Sequence, residues 1–153
     1  VTVVEFFDQN CPHCATCHSV MKRLIDDYGD RVRFVFKPIK KKKKSVNQIE
    51  ALYAAHRAGS FLEMLNAQYQ RQSPAGLSTD EPADIAESIG MDRQSMLSAI
   101  EDDRYMGAIR LVYQQAQRVG VNSTPTVMIN GRFVTADSRT VECMGSLIES
   151  AAG

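Results

Sequence analysis

Cys11 and Cys14 stand three positions apart, where a strand-like run over residues 1–7 hands over to a helical pattern. Two thiols at this spacing on the first turn of a helix can close into a disulfide and open again. The chemistry they offer is two-electron exchange with other thiols. The helix start supplies the activation, because its unpaired N–H groups and the positive end of its dipole favour a thiolate over a thiol. Pro12 suits the first helical position, where its missing N–H would have had no partner. His13 is placed to add positive charge or a hydrogen-bond donor beside the sulfur. Cys11, at the cap, is expected to be the exposed, acidic thiol. Cys14, one turn in, is expected to be the buried resolving partner.

The same sulfurs leave a metal reading open. Cys11, Cys14, Cys17 and His18 offer three thiolates and an imidazole, a set suited to zinc or copper(I). A ferredoxin-type run would need a fourth cysteine where Met21 stands. Against metal, Cys17 falls mid-stripe on the apolar face of its helix and Pro12 suits a redox turn, so neither a metal nor a cofactor is expected. His18 and His56 read as ordinary helix residues.

The elements that must position the pair follow from periodicity. Residues 1–7 alternate, with Val1, Val3, Glu5 and Phe7 on one face and Thr2, Val4 and Phe6 on the other. Both faces are largely apolar, as in a central strand covered on both sides. Cys14, Cys17, Met21, Leu24, Ile25 and Tyr28 recur at three- and four-residue steps, which predicts a helix over 12–28 ended by Gly29. Residues 31–39 read as a second strand ending near Pro38, completing a βαβ unit with a right-handed crossover. Residues 45–120 read as helical, with breaks at Gly59, across 73–82, at Gly90 and at Gly120; Ser60 and Asp92 are candidate caps. Residues 121–136 return to strands around Asn130-Gly131, a type I′ hairpin signal. A last helix over 138–151 has Val141, Met144, Leu147, Ile148 and Ala151 as its apolar face.

With 153 residues, one domain with a real core is expected. Equal numbers of acidic and basic residues exclude a global attraction to nucleic acid or membrane, and no apolar run approaches the ~20 residues of a spanning helix. Residues 40–44 are five consecutive lysines. With no aromatics interleaved, the run reads as a solvated loop rather than a nucleic-acid site; an acidic partner or an anionic headgroup stays open.

Val4-Glu5-Phe6-Phe7, followed after a short gap by Cys11-Pro12-His13-Cys14, resembles the DsbA family of bacterial thiol–disulfide oxidoreductases. Cys-Pro-His-Cys is the choice of its oxidising members. The resemblance runs from Val3 to Leu147 and implies an α/β, thioredoxin-like fold from residues 1–39 and 121–153, with a helical domain inserted over 45–120. Ser123-Thr124-Pro125 resembles the cis-proline loop of such proteins, though without the glycine common just before the Thr-Pro. That likeness implies Pro125 against the Cys11 sulfur. It also implies that Ser123, Thr124 and Pro125 bind substrate, an extended peptide pairing there as an added strand. The family carries an acid at the offset of Glu5, which implies a buried carboxylate trading a proton with Cys14; the plainer alternative is a strand-end acid reaching water. Whether Lys37 meets Glu5 or solvent is open. In a thioredoxin fold the first and last of these helices pack on one side of the sheet, so Cys17 and Cys143 are candidates for a structural disulfide. The alternative is a buried Cys17 and a half-exposed free Cys143.

The function implied is disulfide introduction or exchange in cysteine-containing proteins of the bacterial periplasm, with reoxidation by a membrane partner of DsbB type. An isomerase or reductase of the ScsC or DsbG kind, served by a DsbD-type partner, is the alternative. The chain begins inside a strand, without the additional N-terminal strand of full-length relatives, and is read as mature or trimmed. Neither nucleic-acid binding nor stable membrane insertion is expected.

Overall fold

The computed structural model describes residues 1–41 and 43–153, and for residues 43 and 44 the backbone alone. Its first strand, β1 (Thr2–Phe7), is rich in β-branched and aromatic residues that favour extended backbone. It leads through a turn into α1 (Pro12–Tyr28) and then β2 (Arg33–Pro38). Five helices follow: α2 (Lys43–Arg57), α3 (Phe61–Gln70), α4 (Asp80–Ser88), α5 (Arg93–Glu101) and α6 (Met106–Arg118). The chain returns as β3 (Thr126–Ile129) and β4 (Arg132–Phe133), then a 3₁₀ turn (Ala136–Ser138) and α7 (Val141–Ala152). The sheet order is β2-β1-β3-β4, with β1 parallel to β2 and the other pairs antiparallel. This is a thioredoxin-like α/β fold, as expected from the sequence.

β1 is therefore internal, and both its faces are covered. Val3, with Val127 and Ile129, packs on Cys17, Met21 and Leu24 of α1 and on Met144 and Ile148 of α7. Gly145 lets α7 approach closely, since a Cβ there would meet the Tyr28 hydroxyl at 3.0 Å. On the opposite face Phe6 packs with Val4, Met128, Ile39 and Ala116, so α6 forms a layer on the sheet. The helices α2–α5 enclose a separate core that Phe7 and Cys14 join from the sheet's end. Phe7 meets Phe36 edge to face at 6.2 Å and Tyr69 at 6.5 Å.

Several local expectations shift. Ser60 precedes α3 but makes no side-chain cap bond. Leu147 is 42% exposed, because burial on α7 centres on Met144 and Ile148. The lysine run is only partly loop: α2 begins at Lys43, and Lys42 lies outside the described residues. Lys37 does not approach Glu5. It pairs in register with Phe6, which puts it on the other face, and its Nζ donates to Gln115 Oε1 at 2.7 Å. The hairpin is as expected, with φ +45° at Asn130 and +79° at Gly131. Asp92 does cap α5, its Oδ2 accepting from Ser95 N–H at 2.8 Å. Asp92→Ala is expected to cost about 1 kcal/mol, read as a lower urea midpoint at unchanged slope; an unmoved midpoint would remove the cap's role. Among the described residues no helix is long and apolar enough to cross a membrane.

Candidate active site

The turn between β1 and α1 is held from both sides. Cys11 N–H donates to the Asp8 carbonyl at 3.0 Å, and Asn10 N–H to Asp8 Oδ1 at 2.9 Å. The helical block stitches the same turn: Asn10 Nδ2 donates to Gln48 Oε1 at 2.7 Å, and Gln72 Nε2 to the Gln9 carbonyl at 3.2 Å. Pro12 occupies the first turn of α1 and Cys11 its N-cap, with extended backbone (φ −92°, ψ 124°). The helix start therefore presents its open N–H groups around the Cys11 sulfur.

All four cysteines are unbridged in this structure. Cys11 is half-buried and Cys14 fully buried. Burial alone would raise the Cys11 pKa. The N–H groups of Cys14 and His13, the Cys14 thiol and the Thr124 hydroxyl outweigh it and hold the value below the ordinary thiol range. No first-turn N–H makes a fully formed cap bond to the sulfur, so this is the field of the helix start more than one strong bond. Cys14 goes the other way: burial pushes it up to about 12, although Asp8 N–H donates to its Sγ at 3.4 Å. The two thiols thus differ in the sense required of an attacking or leaving sulfur and a resolving one. His13 contributes through its backbone N–H, while its side chain is exposed.

The Thr124–Pro125 peptide is cis, and the Cys11 thiol lies 3.8 Å from the Thr124 carbonyl oxygen as donor. Pro125 is buried, Thr124 half-buried and Ser123 exposed. The loop is braced by two side chains not singled out in the sequence. Arg139 Nη1 donates to the Pro125 carbonyl at 2.6 Å, and Lys41 Nζ donates to Thr124 Oγ1 at 2.8 Å. Neither has a sequence signal, because each is far along the chain from the loop it holds. Lys41 lay in a run read as solvated.

Glu5 is buried, 1% exposed, with Oε1 lacking any hydrogen-bond partner. Burial pushes its pKa up to about 8, against the pull of the Cys17 thiol and of Arg139. The expected partner was Cys14; the structure gives Glu5 to Cys17 instead. Cys17 lies one turn further along α1 and faces the sheet, whereas Cys14 points towards the helical core. Burial and then the nearby Glu5 push the Cys17 thiol up. Tyr69 of α3 lies against the same group, its phenol pushed up by burial and by Glu5, Cys14, Cys17 and Asp8.

The Cys17–Cys143 bridge is not formed. Cys17 is buried against Glu5, while Cys143 is exposed beside Ser146 and Leu147 on the outer side of α7. The metal set does not converge either. His18 is buried, its Nε2 2.5 Å from Asn66 Oδ1 and its ring 4.7 Å from that of Tyr69. Among the described residues no group of three or more His, Cys, Asp or Glu is arranged to hold a metal.

Comparison with known proteins agrees with this architecture. The thiol:disulfide interchange protein DsbA of Burkholderia cepacia is 21% identical over 149 residues, covering 95% of this chain and 70% of that protein. The Na(+)/H(+) antiporter NhaA 3 of Salinispora tropica is 31% identical over 138 residues, covering 86% of this chain, which spans only 20% of the antiporter's length. Among solved structures, oxidised BdbD from Bacillus subtilis superposes with a TM-score of 0.86 at 19% identity, over 97% of this chain and 85% of that one. The sequence model of the family described as Thioredoxin matches residues 1–150. With β1, the Cys11 turn, the Pro125 loop and most of α7 inside that match, the chain belongs to the thioredoxin family.

Proposed function

We propose that the chain is a thiol–disulfide oxidoreductase acting on cysteine-containing proteins through Cys11 and Cys14. The observation that carries this is the split between the two thiols: one half-buried at a helix start with a lowered pKa, the other buried and pushed up to about 12. Likeness to a relative named DsbA over most of both chains supports it.

In the oxidising direction the enzyme begins as the Cys11–Cys14 disulfide. A substrate thiolate attacks the Cys11 sulfur; the S–S bond breaks and Cys14 leaves with the electron pair, taking up a proton because its pKa lies far above neutrality. A second substrate thiolate then attacks the substrate sulfur of the mixed disulfide, and Cys11 leaves as thiolate. The substrate loses two electrons, which the enzyme dithiol holds. Stabilising the Cys11 thiolate stabilises that reduced form and makes the disulfide more oxidising. Ser123, Thr124 and Pro125 bind the substrate strand beside Cys11. Glu5 acts on Cys14 at one remove, through Cys17. Residues 45–120 form the inserted helical domain over the site. The compartment in this reading is the bacterial periplasm, where a membrane partner of DsbB type restores the disulfide.

The test is the Cys11–Cys14 reduction potential, measured by equilibration with glutathione. On the scale where DsbA lies near −120 mV and thioredoxin near −270 mV, each about, a value towards the first supports an oxidase. A value near the second overturns the oxidising direction.

A further inference from the structure

The chain is electrically balanced as a whole, but its charges are segregated. Residues 31–49 carry eight Lys and Arg and no Asp or Glu; residues 104–136 carry four and again none. The fold brings these two segments together. Lys37 of β2 donates to Gln115 of α6, and Lys41 donates to Thr124 of the loop after α6. Where they meet, a groove of about 490 Å³ is lined by Lys40, Lys41, Tyr113, Asn122, Ser123 and Thr124. A second depression of about 340 Å³ shares Lys40 and Tyr113 with it and continues to Arg110 and Gln114. Neither is lined by an acidic residue among the described residues. Tyr113, which lines both, is 45% exposed.

The groove ends on the loop that flanks the reacting sulfur. Thr124 lines it, and the Thr124 carbonyl oxygen is 3.8 Å from Cys11 Sγ. A substrate segment extended along residues 123–125 advances about 3.3 Å per residue. Residues close in sequence to its cysteine would then pass Lys40 and Lys41, which line the groove beside Ser123 and Thr124. A lone surface lysine contributes little. A one-sign cleft raises encounter rates and rejects like charge, which is selectivity more than affinity.

We infer that this basic groove selects substrates whose reacting cysteine is flanked by acidic residues, the flank lying between Lys40, Lys41 and Arg110. The inference rests on the exchange reading of Cys11 and Cys14. It favours a protein segment over an anionic membrane because the groove is continuous with the loop at the Cys11 sulfur.

The test separates binding from chemistry. The 153-residue chain carrying Cys11→Ser and Cys14→Ser is titrated by fluorescence anisotropy with short peptides whose cysteine is replaced by serine, flanked by Asp and Glu, by Asn and Gln, or by Lys. The acidic peptide is expected to bind about tenfold more tightly than the neutral one at about 0.01 M salt, with the preference gone at about 1 M. It should also vanish in Lys40→Glu/Arg110→Glu and weaken in Lys40→Gln/Arg110→Gln, with unchanged circular dichroism. Equal binding of acidic and neutral peptides overturns the inference, as does a preference that survives charge reversal. Charge-dependent sedimentation with phosphatidylglycerol vesicles alongside equal peptide binding also overturns it, in favour of a lipid surface. Exchange with dithiothreitol is measured separately on the unsubstituted chain; its absence would sink the redox reading, while the peptide titration still decides the groove.

Discussion

Cys11→Ser is expected to reduce protein thiol–disulfide exchange to background, the largest functional effect of any single substitution in this chain. Serine keeps the size and the helix start but cannot form the mixed disulfide. No other thiol is set to stand in, since Cys14 and Cys17 are buried with raised pKa values and Cys143 is exposed beside Ser146 and Leu147 on the outer side of α7. Cys14→Ser should behave differently. Cys11 can still attack a substrate disulfide, but nothing resolves the product, so the covalent adduct accumulates and is visible by mass spectrometry under non-reducing conditions. Turnover retained in Cys11→Ser, or an adduct that forms equally in both variants, would contradict the assignment of attacking and resolving sulfurs.

Glu5 makes the second large prediction, on stability. Its carboxyl titrates near 4.5 when unfolded and near about 8 when folded, because burial disfavours the charged form. Below about pH 4.5 both states hold the proton and nothing is lost. Between those values the unfolded chain has released it while the folded chain keeps it, so stability falls as pH rises. The slope approaches about 1.4 kcal/mol per pH unit, for a ceiling of about 5 kcal/mol by pH 8. Glu5→Gln keeps the shape and removes this slope. Urea unfolding from pH 5 to 8 is expected to show the variant gaining on the parent as pH rises. His18, its pKa lowered by burial, has the opposite slope near and below its unfolded value; it is common to both proteins and cancels in the difference. Parallel profiles for the two proteins would mean that Glu5 is not held protonated by the fold. If exchange at pH 7 also slows in Glu5→Gln while Cys17→Ala leaves it unchanged, the carboxyl reaches Cys14 without Cys17.

Much of this molecule is local, and so legible in one dimension. The alternation of residues 1–7, the apolar stripe from Cys14 to Tyr28, the Asn130-Gly131 turn and the Asp92 cap each depend on neighbours within a few residues, where backbone sterics and periodicity decide. The same holds for the redox pair: a cysteine at the N-cap and another one turn later fix which thiol meets the helix start and which meets the core. The α/β order of elements follows from these pieces.

Tertiary structure alone decided which distant side chains meet. Whether Glu5 is buried or reaches water was open in the sequence; which sulfur it touches depends on how α1 is rotated over the sheet, and that rotation gives Cys17 to Glu5 and Cys14 to the helical core. Lys37 was ambiguous until strand register placed it opposite Phe6. Cys17 and Cys143 lie on helices that do pack together, yet Cys143 sits on the exposed side of α7, so shared layering was not enough for a bond. Arg139 and Lys41 hold the Pro125 loop from 14 and 83 residues away from their partners in sequence. The basic groove exists only because two acid-free segments, separated by residues 50–103, close on one another. Short-range chemistry was written in the order of residues, and long-range juxtaposition was set by helix rotation and strand register, which no single segment encodes.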